Sequence, residues 1–183
     1  MGLNDFLSNA VKIAGHEGND DHVVLSSRVR LARNVNGRTF PGRAKKEDRV
    51  ETCGLIQPAV SGLSAMRGGY SESMANLKAL EKQLLVERHH ISREHAAKSA
   101  GSALVINKEQ TICVMINEED HLRMQALMPG LQLKQAWQKI DRIDTSLEKK
   151  LEYAFDDRLG YLTACPTNLG TGIRVSAMLH MPG

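Results

Sequence analysis

Hydrophobic and polar residues alternate along the chain in patterns that predict both helices and strands. The pattern predicts five helices, over residues 3–13, 46–57, 73–87, 119–128 and 133–154. We expect Pro58 to end the second helix and Pro129 to end the fourth. Met74 and Leu80 share the apolar stripe of the third helix, and Trp137 lies on that of the last, so we expect Trp137 in the core.

Strand patterns fill much of the remaining sequence. Aliphatic and β-branched runs predict strands over residues 23–33, 103–106, 111–116, 159–164 and 172–181. Residues 107–110 suit a hairpin turn, whereas residues 61–72, rich in Gly and Ser, are expected to be irregular. We therefore predict an α+β fold, with helices flanking a mainly antiparallel sheet. A sheet ending with the last strand has an edge of unpaired backbone groups unless another segment covers it.

Composition and charge narrow the classes of protein that fit. The 183 residues suit one domain, and 42 % hydrophobic with 25 % charged residues is an ordinary globular composition. A net charge of +3 and 4 % aromatic residues disfavour a nucleic-acid-binding module. Cys53, Cys113 and Cys165 form no C-x-x-C pair, which favours a reduced compartment. The sequence has neither an apolar run of the ~20 residues that a bilayer requires nor a signal-peptide pattern, so we expect a cytoplasmic protein without membrane contact.

The first segment with candidate chemistry is Ser26-Ser27-Arg28-Val29-Arg30, on a predicted strand. Arg28 and Arg30 lie two positions apart and therefore point to the same face. Adjacent guanidinium groups repel each other, and arginine is suited to bidentate contact with phosphate. The pair thus suits an anion site, although an isolated pair of this kind is more often a solvated strand face.

The second segment is acidic and runs from Asn117 to Arg123. On the predicted helix, Glu119 and Arg123 are four residues apart and would share one face. Taken alone, the acids are more often the first turn of a helix, where they favour the helix dipole. Three acids, Glu118, Glu119 and Asp120, could instead hold a cationic substrate or Mg²⁺.

The third segment spans residues 165–174 and joins a shaped turn to a strand. Gly170 and Gly172 allow backbone N–H groups to approach an anion, and Arg174 adds a guanidinium. Cys165 in such a loop is accessible enough for its thiolate to act. Each signal is weak alone, because a G-x-G pair is common and a free cysteine is more often a small buried hydrophobe.

A metal site is a competing interpretation for His89, His90 and His95. Adjacent histidines are poorly placed for joint ligation on a helix, and no Cys or carboxylate completes a familiar ligand spacing. We therefore expect no metal ion held by protein ligands.

Together the three segments resemble motifs of the ATP:guanido phosphotransferase family, which includes creatine and arginine kinases. The matching motifs are SSRVRLARN at 26–34, NEEDHLR at 117–123 and CPTNLGTGIR at 165–174, in the same order and spacing. The resemblance covers the chain from about residue 3 onward. It is closest to the bacterial protein arginine kinases, because phosphagen kinases carry a helical domain of about a hundred residues before the first motif. Here 22 residues precede Val23.

The resemblance implies transfer of the γ-phosphoryl group of ATP to arginine side chains of proteins. It implies a phosphagen-kinase-type, glutamine-synthetase-like catalytic domain over 23–183, preceded by a short helical segment over 1–22. Relatives continue past residue 183 with a further phosphate loop and a second acidic residue, so we expect an incomplete site. The implied cofactors are ATP and Mg²⁺, the ion held mainly through the phosphates. Implied partners are proteins with exposed arginine, an activator protein and the stress-response and proteolysis machinery.

The resemblance also implies roles for individual residues on the nucleotide side. Arg28, Arg30, Arg123 and Arg174 would clamp the phosphates and the transferring phosphoryl group. His89 would lie beside the adenine. The nucleotide would be lined, partly through backbone N–H groups, by Ser26, Ser27, Arg28, Val29 and Arg30 and by Arg174, Val175, Ser176, Ala177 and Met178.

On the acceptor side, the resemblance implies that Glu119 holds the guanidinium and takes its proton. Cys165 would contact the same group as a thiolate, and Glu118 would help order Mg²⁺ through water. A protonated guanidinium is a poor nucleophile, so a carboxylate must orient it and accept a proton. Two alternatives stay open: a catalytically incomplete nucleotide-binding remnant or regulatory partner, and a kinase of small guanidines such as arginine or creatine.

Overall fold

The computed structural model of the protein describes residues 3–8 and 23–181. Its helices are α1 (Leu3–Ser8), α2 (Lys46–Ser61), α3 (Ala79–Glu87), α4 (Arg93–Ala96) and α5 (Leu133–Glu148). Its strands are β1 (Val24–Arg33), β2 (Tyr70–Ser73), β3 (Ala103–Ile106), β4 (Ile112–Ile116), β5 (Leu122–Pro129), β6 (Phe155–Asp156), β7 (Gly160–Tyr161) and β8 (Ile173–Leu179). Six strands form one antiparallel sheet in the order β2-β3-β4-β5-β1-β8, and β6 pairs with β7. The predicted α+β class is confirmed.

One face of the sheet is covered by α2 and α5 and forms the main core. Val29 and Leu31 of β1, Val114 of β4 and Met124 of β5 point to this face and are buried. Alternate residues of a strand point to opposite faces. A one-residue slip of β1 would therefore turn Val29 and Leu31 away from the core, so packing on this face fixes the register of the strand.

In the described part of the chain, helices cover the opposite face over β3 and β4 but not over β5, β1 and β8. α1 and α3 bury the side chains of β3 and β4 in a second core. Gln110 Nε2 donates to Phe6 O (2.8 Å) and Arg88 Nη1 donates to Leu7 O (2.7 Å), which holds α1 on that core. The uncovered half of this face carries polar side chains, including Arg28.

The helix predicted over residues 119–128 is wrong, because this segment forms β5 after a bend over 117–121. β5 pairs with β1 on one side and β4 on the other. Met124 packs in the main core, and Gln125 on the other face is 5 % exposed. A strand buried on both faces shows no alternation, so spacing alone does not distinguish it from a short helix.

Two helix boundaries also differ from the prediction. α2 continues past Pro58 to Ser61, because packing of Ile56 and Val60 in the core outweighs the one hydrogen bond that proline removes near the end of the helix. The helix predicted from residue 73 begins at Ala79, because residues 70–73 pair with β3 as β2. The predicted irregular stretch over 61–72 therefore ends in a strand.

The last predicted helix ends at Glu148, and Trp137 does not lie in the core as predicted. Trp137 is 36 % exposed, and the core side of α5 is formed instead by Ala136, Ile140, Ile143 and Leu147. The strand predicted over 159–164 is reduced to β7, whereas the other four predicted strands are confirmed. Residues 9–13 of the first predicted helix lie outside the described residues, and the division of the chain at residue 22 stays a prediction.

Leu85 and Leu80 of α3 offer a matched test of the second core. Leu85 is 0 % exposed and Leu80 is 76 % exposed. We predict that Leu85→Ala lowers the free energy of unfolding by about 2–5 kcal/mol, because it leaves a cavity. Leu80→Ala should change it by less than about 0.5 kcal/mol. Urea denaturation measures both changes, and equal effects would contradict this packing.

Candidate functional site

Four arginines from three strands share the uncovered half of the sheet. Arg28 and Arg30 lie on β1, and Arg174 of β8 is paired directly with Arg30. Arg123 of β5 is paired with Ala32, which points to the same face as Arg28 and Arg30. The register of three neighbouring strands thus brings together the four arginines that the sequence singled out.

The arginines are close enough to affect one another's ionisation. Burial lowers the pKa of Arg28, and the charges of Arg123 and Arg174 lower it further. Burial, followed by the charges of Arg28, Arg123 and Arg174, lowers the pKa of Arg30 to about 10. The Nε atom of Arg30 is buried without a hydrogen-bond partner. A group of partly desolvated cations with an unused donor is suited to a polyanion such as a triphosphate.

An open cleft adjoins this arginine cluster. It is lined by Arg30, Leu31, Ala32, Glu119, Asp120, Arg123, Cys165, Thr167, Asn168, Gly172 and Arg174. Residues from all three candidate segments therefore meet at one place. The cleft has a cationic side on the sheet and a side formed by the 117–121 bend and the 165–172 loop.

Glu118 and Glu119 differ in environment although they are adjacent. Glu118 is buried, and both of its carboxylate oxygens accept a hydrogen bond from Arg123 Nη1, at 2.7 and 2.8 Å. Burial alone would raise the pKa of Glu118, but bonds from Arg123 and Ser92 outweigh it and leave the pKa lowered. The predicted pairing of Glu119 with Arg123 on a helix face is therefore wrong, since Arg123 forms its ion pair with Glu118.

Glu119 is exposed at the cleft. Partial burial and the nearby charges of Asp120 and Glu118 raise its pKa. Two like charges destabilise the ionised form of this carboxylate, so contact with a cation stabilises it. For the same reason it accepts a proton more readily than an isolated carboxylate does. Glu119 is thus suited both to hold a guanidinium and to act as its base.

Asp120 places the cysteine loop beside Glu119. Its Oδ1 accepts from Ala164 N (2.7 Å) and from Asn34 Nδ2 (2.6 Å). Asn34 Nδ2 also donates to Leu162 O (3.1 Å). Cys165, directly after Ala164, is half-buried at the cleft, with Sγ 3.0 Å from Thr167 Oγ1.

Arg33 fixes the other end of this loop. Its Nη1 donates to Thr171 O (2.8 Å), its Nη2 donates to Asp144 Oδ2 (2.7 Å), and its guanidinium lies 3.5 Å from the centre of the Tyr161 ring. Gly172 follows with φ +69°, close against the backbone of β1. The loop therefore enters β8 in a defined conformation that brings Arg174 beside Arg30.

The three histidines lie in different environments. His89 is exposed, and its carbonyl accepts from Gln125 Nε2 (2.7 Å), which also donates to His90 O (2.9 Å). His90 and His95 are buried, and burial lowers the pKa of each to about 4. Within residues 3–8 and 23–181, no three His, Cys, Asp or Glu side chains are grouped so that they could hold a metal ion.

Some residues expected to line a nucleotide point elsewhere. Ser27 and Val29 are buried on the core face, where Ser27 Oγ donates to Gly130 O (2.6 Å). The backbone of β1 is paired on both sides, so its N–H groups are used by the sheet. Ser26 and Ser176 share the face of Arg28, and Ser176 is paired with it.

On β8 the remaining expected residues divide between the two faces. Val175 is paired with Val29 and Ala177 with Ser27, so both point to the core side of the sheet, while Met178 is paired with Ser26 on the arginine side. Val175 and Ala177 could therefore contact a nucleotide on the arginine side only through their backbone.

Sequence analysis did not predict the positioning contacts of Arg33, Asn34, Asp120 and Ser92. The first three lie inside the quoted motifs, so the signal was present, but their partners are up to 138 residues away in the chain. Ser92 directly precedes α4, a position that favours a helix cap.

The chain is similar in sequence to known proteins. The family profile described as ATP:guanido phosphotransferase, C-terminal catalytic domain, matches residues 55–183. A protein-arginine kinase of Pelotomaculum thermopropionicum is 44 % identical over 91 % of this chain and 48 % of its own length. One of Halothermothrix orenii is 44 % identical over 100 % of this chain and 52 % of its own length. The chain thus spans about half the length of the curated relatives it matches.

Solved structures show the same fold. The duplicated taurocyamine kinase of Schistosoma mansoni with bound transition-state-analogue components aligns with a TM-score of 0.84 and 27 % identity, over 96 % of this chain and 26 % of that one. Lombricine kinase aligns with a TM-score of 0.77 and 29 % identity, over 94 % of this chain and 50 % of that one. None of the helices within the described residues has the length and apolar character to cross a bilayer.

Gly172 and Gly37 offer a matched test of the loop geometry. Both have a positive φ, +69° and +68°, but a Cβ at 172 would lie 2.5 Å from Ala32 O, whereas at 37 it would meet nothing within 4 Å. We predict that Gly37→Ala costs only the left-handed conformation, about 1–2 kcal/mol. Gly172→Ala should cost more and should also weaken binding of inorganic triphosphate, because the loop that brings Arg174 beside Arg30 must move. Denaturation measures the change in the free energy of unfolding, and calorimetric titration measures the change in affinity. Equal changes in the two variants would refute the close approach of Gly172 to Ala32.

Proposed function

The chain belongs to the ATP:guanido phosphotransferase family, and we propose that it transfers the γ-phosphoryl group of ATP to the guanidino group of protein arginine side chains. One observation carries the proposal: four arginines converge on one side of a cleft whose other side presents Glu119 and Cys165. A triphosphate on the arginine side would meet an acceptor guanidinium on the acidic side. This arrangement supports a reaction between a donor and an acceptor bound in one site.

The cationic side suits the electrostatic demands of phosphoryl transfer. The reaction depends on positioning and on neutralising charge on the transferring group, more than on covalent chemistry of the protein. Arg28, Arg30, Arg123 and Arg174 have lost part of their hydration or repel one another, so binding of phosphate relieves an existing cost. We propose that His89, held against β5 through Gln125, lies beside the adenine.

The acidic side suits a guanidinium acceptor. Glu119 would bind two N–H groups of the guanidinium in a bidentate manner and accept a proton as the N–P bond forms. Cys165 would contact the same cation as a thiolate, which the positive charge stabilises. Neither role requires a covalent enzyme intermediate.

Mg²⁺ would reach the site with ATP and would neutralise charge on the β- and γ-phosphates. The described residues offer it no cluster of carboxylates, and the oxygens of Glu118 are bonded to Arg123 and Ser92. We therefore propose that the ion is held mainly through the phosphates. The protein supplies the cationic surface that binds this complex.

Protein arginine is the proposed acceptor because relatives of higher sequence identity are protein-arginine kinases. Curated relatives at 44 % identity are protein-arginine kinases, whereas the taurocyamine and lombricine kinases are 27–29 % identical. We also propose a cytoplasmic location, exposed arginines on target proteins as substrates, and an activator protein and the proteolysis machinery as partners, without nucleic acid or membrane.

Glu119→Gln tests the acceptor side. With ATP, Mg²⁺ and an arginine-rich protein, we predict a loss of phosphoarginine formation of about 10²–10⁴-fold, because the amide does not accept the proton. ATP affinity should change little, since the phosphates are proposed to bind to the arginines and not to Glu119. Glu47→Gln, an exposed glutamate on α2 behind the sheet, is the matched control. Acid-labile phosphoarginine is detected by ³¹P NMR, and ATP binding by calorimetry.

Other outcomes would favour the alternatives. Loss of both ATP binding and transfer in Glu119→Gln would indicate a structural role for this carboxylate. ATP binding by the wild-type protein without any phosphoarginine would favour a nucleotide-binding remnant. Phosphorylation of free arginine in preference to protein arginine would favour a small-guanidine kinase.

A further inference from the structure

The Glu118 carboxylate is the centre of a buried hydrogen-bond network behind the cleft. Its Oε1 accepts from Ser92 Oγ (2.6 Å) and from Arg123 Nη1 (2.7 Å). Its Oε2 accepts from Arg123 Nη1 (2.8 Å) and from Glu119 N (2.9 Å). The side chain of Glu118 is 2 % exposed. A carboxylate has about four acceptor positions, so these donors occupy Glu118, and its charge serves Arg123.

This pairing matters because of where Arg123 lies. The charge of Arg123 lowers the pKa of both Arg28 and Arg30, so the three guanidinium groups repel one another. Without a fixed counter-charge, that repulsion would favour rotation of Arg123 away from the cluster. Arg123 bonds Glu118 through one nitrogen, and a guanidinium has five N–H donors. The remaining N–H groups of Arg123 are therefore available to an anion in the cleft.

Ser92 holds Glu118 from a different part of the chain. Its hydroxyl accepts from His95 N (3.0 Å) as the cap of α4 and donates to Glu118. The backbone N–H of His95 can only donate and the carboxylate of Glu118 can only accept. The hydroxyl proton of Ser92 therefore points to Glu118. The segment that leads to Ser92 is itself bonded to β5, where Gln125 Nε2 donates to the carbonyls of His89 and His90.

We propose that Ser92 is a positioning residue that acts through Glu118 to hold the Arg123 guanidinium within the arginine cluster. It thereby ties the 89–92 segment to the phosphate-binding side of the cleft. The inference deepens the proposed function, on which its consequence for ATP binding rests. Ser92 itself does not line the cleft and need not touch the substrate.

Threonine and glycine at position 92 separate this role from helix capping. The two residues are about equally good helix caps, but only threonine keeps the hydroxyl donor. We expect Ser92→Gly to weaken Mg·ATP binding about tenfold, which is close to the lower end of what a hydrogen bond to a charged group contributes. Ser92→Thr should restore near wild-type affinity. If capping were the cause, the two variants would bind alike, and that result would overturn the proposal.

Repeating the Ser92→Gly measurement in the Glu118→Gln variant tests whether Ser92 acts through Glu118. Two independent sites would give the same tenfold effect of Ser92→Gly in the wild type and in Glu118→Gln. We expect most of the effect to disappear in Glu118→Gln, since the group on which Ser92 acts is already neutral. An undiminished effect would show that Ser92 acts by another route.

NMR of the full chain tests the positioning role of Ser92 without ATP. In Ser92→Gly, the carboxyl ¹³C titration of Glu118 should move to higher pH, and the slowly rotating Arg123 guanidinium protons should broaden. Ser92→Thr should change neither signal. If the wild type binds no ATP, the proposed function fails while these signals still test Ser92. Unchanged Glu118 and Arg123 signals in Ser92→Gly would overturn the proposal whatever the ATP result.

Discussion

Mutual repulsion among Arg28, Arg30, Arg123 and Arg174 is the constraint on which the site depends. Like charges at this spacing do not assemble by themselves, so something else must hold them. The sheet does this, because the register of β1 with β5 and β8 is fixed by apolar residues on its other face. Stability from the main core thus maintains an unfavourable charge arrangement that an anion can relieve.

The acidic side of the cleft is held by a different kind of contact. Asp120 and Arg33 are buried ionic groups, and each also bonds a backbone group of the 162–172 segment, Ala164 N and Thr171 O. A buried charge that loses its partner is costly, so such pairs define position strongly even where their net contribution to stability is small. They bring Cys165 to the same cleft as Glu119. The site is therefore built from a rigid cationic sheet and a loop fixed by specific polar bonds.

Local pattern predicted part of this arrangement, and tertiary contacts explain the rest. Alternation along residues 23–33 placed Arg28 and Arg30 on one face, and the sheet confirms that placement. Burial on both faces removes the alternation from β5, so its pattern wrongly predicts a helix that would pair Glu119 with Arg123. The bonds of Ser92 and Asn34 join residues 26 and 86 positions apart, and no local signal encodes such partners.

Binding of a polyanion is expected to relieve the repulsion within the arginine cluster. Thermal unfolding of Arg30→Gln with and without Mg·ATP measures this relief. We expect the variant to be more stable than wild type without nucleotide and to gain little stability from ATP. Wild type at a ligand concentration of 100 Kd should gain about 2.7 kcal/mol. A variant that is less stable than wild type without nucleotide, yet is stabilised as much by Mg·ATP, would show that repulsion among the arginines is not relieved by the nucleotide.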